Sequence, residues 1–267
     1  MVSRPEHLTA ENAARFQDQS VVDRYQFRLP YPPETFSILL ELIVDYPQTV
    51  LDIGTGLGDL ARHLVQFVDH VDAIDLSSPM TRKGRTLQNG HHPNLRWTTG
   101  ALEQVKLRPP YSLITAGDSL QWMDWDVVLP RLSEACSPNG ILALVSRQEI
   151  LPSAWKDGLR TLIGQYATDH VALAFDLVGE LEQRHLFQKV GERETAPVTY
   201  TAELEDYIAS FHSGSSLSLD RMPAADAAAF DQGIRDLVAP WTENNQLQLQ
   251  RTARIIWGKP QSPNHQN

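Results

Sequence analysis

The stretch Val50-Leu51-Asp52-Ile53-Gly54-Thr55-Gly56-Leu57-Gly58-Asp59-Leu60 decides the fold. It starts inside an apolar run of strand length, Thr49 to Ile53, and ends where Leu60, Leu64 and Val68 begin one face of a helix at four-residue spacing. Three glycines on alternate positions join the two, so a buried strand meets a helix through bare main chain. Glycine there allows φ > 0 and lets a ligand lie against the backbone with no Cβ in the way. Asp52 puts a carboxylate near the strand's end, toward the crevice outside the carboxyl ends of the strands, where open α/β sheets bind ligands. A dinucleotide fingerprint requires Gly-x-Gly-x-x-Gly, whereas here the third glycine comes one residue early and Asp59 stands in its slot. The spacing argues against NAD or FAD, and an acidic side chain so near the turn argues against a pyrophosphate.

Upstream, Phe36, Leu39, Leu40 and Ile43 recur at i, i+3, i+4, i+7 after Pro32 and Pro33, and predict a helix ending near Tyr46 and Pro47. Downstream, Val71 to Ile74, Leu95 to Thr98, Tyr111 to Ala116 and Ile141 to Ser146 are strand candidates, the last preceded by the turn Ser137-Pro138-Asn139-Gly140. Pro130 starts or kinks the helix before that turn. Strands alternating with helices from about residue 34 to 147 predict a parallel sheet flanked by helices. Past Arg147 the helical stretches lengthen, with a further strand candidate from Phe187 to Glu192 and a helix from Pro223 that aligns Phe230, Ile234 and Leu237. Gln246 to Gln250 alternates at period two and runs into Thr252 to Trp257, so a final strand returns to the sheet. Residues 200–243 then form an insertion between two strands. Asp75 closes the second strand, 17 residues after Gly58 (75 minus 58), where a carboxylate can accept hydrogen bonds from two ribose hydroxyls. A cofactor carrying an ammonium and a sulfonium tolerates the acids around the turn.

The chain has 267 residues, 42% apolar and 21% charged, enough to bury a large core. Asp and Glu number 33 against 23 Lys and Arg, and the net charge of -10 removes the cationic footprint that nucleic acid or anionic lipid requires. Cys136 is the only cysteine, so there is no internal disulfide and no multi-cysteine zinc site, and a reducing compartment is expected. Met1 to Ala10 holds no apolar leader core, and no stretch approaches the ~20 apolar residues of a membrane span. The expectation is a cytoplasmic protein with a small-molecule partner, no nucleic-acid or membrane partner and no metal.

Leu51-Asp52-Ile53-Gly54-Thr55-Gly56-Leu57-Gly58 followed by Ile74-Asp75-Leu76-Ser77-Ser78-Pro79-Met80 resembles the class I S-adenosylmethionine-dependent methyltransferases. Gly100-Ala101-Leu102-Glu103 is similar to that family's adenine-side loop, Asp118-Ser119-Leu120-Gln121-Trp122 to its segment after the fourth strand, and Leu132 to Leu144 to its helix-turn-strand ending in Pro-x-Gly. The likeness covers about residues 20 to 147. Tyr25 to Pro32, Tyr200-Thr201 and Ser213 to Ser216 more narrowly resemble the trans-aconitate and related small-molecule methyltransferases. The resemblance implies an α/β fold: a Rossmann-like doubly wound sheet, seven-stranded with an antiparallel last strand, and a helical cap insertion. The expected division is an N-terminal helical lid over 1–33, a cofactor domain over 34–199 and 244–259, the cap over 200–243 and a tail over 260–267.

Residue by residue, the resemblance implies that Gly54, Thr55, Gly56 and Gly58 pass under the methionine part of S-adenosylmethionine, with Asp52 orienting that loop and its amino group. Asp75 would take the ribose hydroxyls. Leu76 and Met80 would pack on the adenine, backbone at Gly100, Ala101 and Leu102 would meet its edge, and Tyr25 and Arg28 would close over the methionine carboxylate. Asp118 joins the cofactor set. Tyr31, Gln121, Trp122, Trp125 and His212 are the expected acceptor pocket, with the two tryptophans able to cage a sulfonium by cation-π attraction. The family often has Asp where Ala101 stands and His where Gln121 stands. The second departure removes a ready base and leaves Asp118 or His212 as candidates.

Other motifs carry less. Arg108-Pro109-Pro110-Tyr111 imitates the Asn/Asp-Pro-Pro-Tyr of amino methyltransferases but precedes the fourth strand. Gly117-Asp118-Ser119-Leu120-Gln121 lacks the closing glycine of a serine-hydrolase elbow. His91-His92 sits in a turn with no His-Glu-x-x-His partner. The functional expectation is methyl transfer to a small acceptor at oxygen, as carboxylate, phenol or alcohol. The alternative is a catalytically silent protein that binds the cofactor or S-adenosylhomocysteine in a regulatory or partner-binding role.

Overall fold

The computed structural model describes residues 13–168 and 175–262, so the opening run and all but the start of the expected tail lie outside it. In chain order the helices are α1 Gln19–Arg24, α2 Pro33–Glu41, α3 Ala61–Leu64, α4 Ser78–Thr86, α5 Trp125–Ala135, α6 Ser153–Tyr166, α7 Leu177–Gln183, α8 Leu204–Phe211 and α9 Ala224–Val238. The strands are β1 Thr49–Ile53, β2 His70–Asp75, β3 Leu95–Thr99, β4 Tyr111–Gly117, β5 Cys136–Ile150, β6 Phe187–Glu194, β7 Val198–Glu203, β8 Thr242–Glu243 and β9 Gln246–Pro260. Two compact units share them: of the described residues, one takes 31–147, 175–196 and 253–262, the other 13–30, 148–168 and 197–252.

The first unit is a sheet in the order β3-β2-β1-β4-β5-β9-β6. β1 to β5 run parallel, and β9 is antiparallel to β6. Val50, Leu51, Ile53, Val71, Leu113, Ile114 and Leu142 are all buried, which is why these strands read as continuous apolar runs and not as alternation. The chain order reverses between β1 and its neighbours β2 and β4, and such a switch point opens a crevice at the carboxyl ends of the strands. Nine strands are present among the described residues, not seven: β7 and β8 pair with the first half of β9 in the other unit.

Three local expectations shift. The helix from Pro33 stops at Glu41, although Ile43 stays buried. The helix after the glycine turn keeps only four residues before a run of turns. The turn at Ser137 to Gly140 is an irregularity inside β5: Cys136 pairs Tyr111 and Ile141 pairs Leu113. Asp45 receives the Ser137 hydroxyl and the Asn139 backbone N–H there, which supplies partners that the strand ladder omits. Pro130 lies inside α5.

The second unit has its own apolar core. Trp155 and Leu159 of α6 pack with Phe230, Ile234 and Val238 of α9 and with Tyr207 and Ile208 of α8. Residues 148–168, placed with the sheet by the sequence boundaries, group here through that packing. The N-terminal segment is tied to the same unit by Asp18, which pairs with Arg221 and accepts from the Ser218 hydroxyl.

Candidate active site

At the switch point of the sheet, Gly54, Gly56 and Gly58 take φ values of 60°, 57° and 80°. The left-handed backbone is needed at Gly54, where a Cβ would also start 2.5 Å from that of Ser119. Ser119 holds the turn from the side of β4, donating its hydroxyl to the Ile53 carbonyl at 2.6 Å. That commitment and its burial make it a strut, not an exposed nucleophile. At Gly58 the Trp97 ring fills the space that a Cβ would need.

Asp52 lies beneath the turn and is 2% exposed. Its carboxylate accepts hydrogen bonds from the Thr55 and Thr115 hydroxyls, the latter at 2.8 Å. Burial disfavours the ionised form and pushes its pKa up to about 6, against the pull of these donors. Thr55 N–H closes on the Ile74 carbonyl, which joins the turn to β2. Asp52 thus organises the loop from inside.

Asp75, at the carboxyl end of β2, receives the Gly56 N–H on one oxygen and the Ser77 N–H on the other, each at 2.7 Å. A carboxylate has about four lone-pair sites, so each oxygen keeps one for a further donor. Burial holds its pKa above the ordinary value while the two N–H groups draw it back. Beside it Leu76 is 44% exposed, an apolar side chain facing solvent next to a carboxylate. Met80 is 1% exposed and Leu102 is buried, so neither offers an open side-chain face. Gly100 N–H donates to the Asp75 carbonyl and places the loop at Ala101 next to the end of β2.

At the end of β4, Asp118 is exposed with a φ of 50°, and its carbonyl receives Gln121 Nε2 at 2.8 Å. Trp122 is half-buried, and Gln121 is likewise intermediate. Trp125 does not line the crevice: it is 2% exposed, donates Nε1–H to the Leu120 carbonyl, stacks on Phe175 and has Arg184 over its ring. Tyr31 is buried against the end of β4, where a side chain at Gly117 would begin 2.6 Å from its hydroxyl.

Two side chains the motif reading passed over complete this end of the sheet. Arg147, at the end of the apolar run of β5, lies 4.3 Å over the Tyr31 ring and pairs with Asp59. Arg62 also pairs with Asp59, at 3.1 Å. Two guanidiniums therefore offset the acid that was read as repelling a pyrophosphate, and the case against a dinucleotide rests on glycine spacing alone. A charge directly after a buried strand was the available signal for Arg147; Thr115 was signalled only by lying two residues before Gly117, on one face of β4.

Tyr25, Arg28 and His212 belong to the other unit. There Arg28 stacks over Tyr25 at 4.1 Å and donates to the Ser213 hydroxyl and carbonyl, both at 2.8 Å. His212 is neither a surface histidine nor a ready base: it is 2% exposed, with Nδ1 2.7 Å from the Leu217 carbonyl and Nε2 2.8 Å from Asp231. Both partners are acceptors, so both nitrogens are spoken for.

The Arg108 to Tyr111 motif is structural. Tyr111 opens β4 at the far end of the sheet, donates to Asp72 at 2.6 Å and accepts the Arg108 N–H. His92 receives the Asn94 N–H within its turn. Among the described residues no cluster of three or more His, Cys, Asp or Glu is placed to hold a metal, and no helix is long and apolar enough to cross a membrane.

Residues 50–140 match the family described as Methyltransferase domain. A Malonyl-[acyl-carrier protein] O-methyltransferase of Halalkalibacterium halodurans is 31% identical over 105 residues, covering 37% of this chain and 38% of that protein. Methyltransferase pgmE of Aspergillus terreus is 27% identical over 130 residues, 47% of this chain and 35% of that one. The chain thus spans well under half the length of these curated relatives. Among solved structures, one from Anaeromyxobacter dehalogenans superposes with a TM-score of 0.62 at 18% identity, covering 86% of this chain and 96% of that chain. A SAM-dependent methyltransferase from Thiobacillus denitrificans, in complex with S-adenosyl-L-homocysteine, gives 0.51 at 12% identity, covering 91% and 97%.

Proposed function

We propose that this chain, whose residues 50–140 match the family described as Methyltransferase domain, is a class I S-adenosylmethionine-dependent methyltransferase that methylates a small molecule at oxygen. The cofactor of the domain is S-adenosylmethionine, which supplies an electrophilic methyl group on a sulfonium. The single observation carrying the reading is Asp75: its two oxygens, each anchored by one backbone N–H at the edge of the glycine turn, keep a lone pair apiece for vicinal ribose hydroxyls. The glycine turn brings left-handed backbone to the edge of the crevice, and the exposed Leu76 gives an apolar surface beside the ribose position.

Asp52 works at one remove, fixing the turn through Thr55 and Thr115. Methyl transfer neutralises charge, so alignment and exclusion of water are the main demands, and positioning of this kind can supply about 7–11 kcal/mol. With His212 engaged inside its own unit, Asp118 is the exposed candidate to take a proton from an alcohol or phenol. A carboxylate acceptor needs no base. Arg147 puts a cation at the same end of the sheet, which suits an acidic acceptor, and the name of the Halalkalibacterium relative also points to oxygen. Asp118 and Gln121 would meet that acceptor from the end of β4.

Calorimetry with S-adenosylhomocysteine tests the Asp75 assignment. Asp75→Ala is expected to lose about 1.5–3 kcal/mol of binding, roughly 10- to 150-fold in Kd, through loss of charge-assisted hydrogen bonds. Unchanged affinity in a folded variant refutes it. Incubation with labelled S-adenosylmethionine and a panel of carboxylic acids, phenols and alcohols tests the transfer, and tight binding with no methylated product favours the silent alternative.

A further inference from the structure

At the far end of the sheet from the glycine turn, where β5 begins and β9 finishes, the first unit holds a cavity of about 430 Å³. That lies within the roughly 300–1,000 Å³ of small-molecule sites. Its polar wall includes Arg184, His185, Lys259, Ser133, Ser262 and Cys136, and no Asp or Glu lines it. Three basic side chains on one wall, of which Arg184 is paired with Glu180, gather positive charge in a chain with a net charge of -10.

Lys259 is the informative member. Its ammonium donates to the Pro138 and Gly140 carbonyls at 3.2 and 2.7 Å, and among the described residues no carboxylate is within ion-pair reach of it. Neutral carbonyls satisfy two of its three donors, and Asp45 acts on its charge without a direct ion pair, which leaves one donor for a ligand. Of the acids nearby, Glu180 pairs with Arg184 of the cavity wall, and Asp45 accepts hydrogen bonds from Ser137 and Asn139. Pro138 and Pro260 provide apolar walls against which a short carbon skeleton can lie. Burial pushes the Cys136 thiol up to about 11, so it meets a ligand as a neutral group.

We propose that this cavity is a second binding site, for a small organic anion bearing carboxylate or phosphate groups, with Lys259 as the anchoring cation. β4 pairs Tyr111 with Cys136 at the cavity end and Gly117 with Val145 at the crevice end. Six residues at ~3.3 Å each put about 20 Å between the two, so the anion is neither methyl donor nor acceptor. The site stands whether or not the chain transfers methyl groups.

Cys136 is the chain's only thiol and reports on occupancy. The rate at which a maleimide labels the full chain at pH 8 is followed by mass spectrometry with citrate, with pyrophosphate, or with potassium chloride at matched ionic strength. Citrate or pyrophosphate is expected to slow labelling at least threefold, and the stronger of the two identifies carboxylate or phosphate as the preferred group. Lys259→Met is expected to abolish the protection and Lys259→Arg to retain most of it, with S-adenosylhomocysteine affinity unchanged in both. Should Lys259→Met fail to fold, Lys259→Gln takes its place with the same expectation. Absence of protection in the wild-type chain, equal slowing by chloride, or undiminished protection in the charge-removing variant overturns the proposal.

Discussion

Asp52 sits under the turn that defines the site, and its burial has a consequence for stability. Its folded-state value of about 6 lies above the ordinary 3.8, so folding favours the protonated carboxyl. That contribution is complete below about pH 4 and is lost as pH rises through about 6. Asn in the same place carries no titration. The stability gap between wild type and Asp52→Asn is therefore expected to move in favour of the variant from pH 4 to pH 7, by on the order of 2–3 kcal/mol. Thermal denaturation of both proteins at the two pH values measures it, and a constant gap would show that Asp52 ionises freely in the folded chain. At this scale much of the site was open to sequence reasoning, since Gly54, Gly56, Gly58, Asp52 and Asp75 each stand where a backbone or a carboxylate has one physical use. Trp125 and His212 were not, because ring exposure depends on what packs from elsewhere: Phe175 and Arg184 on one, Leu217 and Asp231 on the other.

Helix α4 begins directly after Asp75, so its capping fixes where that carboxylate's loop leaves the sheet. Ser77 is the N-cap, its hydroxyl accepting the Met80 N–H at 3.3 Å, and Pro79 lies in the first turn, where a missing N–H costs nothing. Ser77→Ala is expected to cost about 1 kcal/mol, read as a fall of roughly 2–4 °C in Tm, with little change in cofactor affinity because the Ser77 backbone N–H to Asp75 survives. A Tm within 1 °C of wild type removes the cap from the account. Elements whose signal lies within their own residues were legible: β1, β2, β3 and β4 as apolar runs and the start of β9 as alternation. The missed ones have physical reasons. The turns after Leu64 end α3 within four residues, although Leu60, Leu64 and Val68 keep helical spacing and remain buried. β7 and β8 are short and exist by pairing with β9, a nonlocal partner that no window of their own residues contains.

Among the described residues one apolar core lies around the sheet and another around α6, α8 and α9. Asp52, Asp75 and the three glycines belong to the sheet unit, while Tyr25, Arg28 and His212 belong to the other. If the sheet unit supplies most of the cofactor's binding energy, weakening the second core should lower stability without a matching loss of affinity. Trp155 tests this. It is 2% exposed, stacks on Trp241 at 5.2 Å between centroids and meets Tyr207 edge-on at 5.7 Å. Trp155→Leu removes an aromatic ring from that packing and is expected to cost a few kcal/mol in denaturant unfolding, toward the ~3–5 kcal/mol of a full truncation. Its S-adenosylhomocysteine Kd, measured below the new transition, is expected to stay within threefold of wild type. Asp75→Ala should show the converse, a large loss of affinity with a small change in the unfolding midpoint. A Trp155→Leu variant that remains folded yet loses the cofactor would move the burden of binding from the end of β2 to Tyr25 and Arg28 in the unit that Trp155 supports.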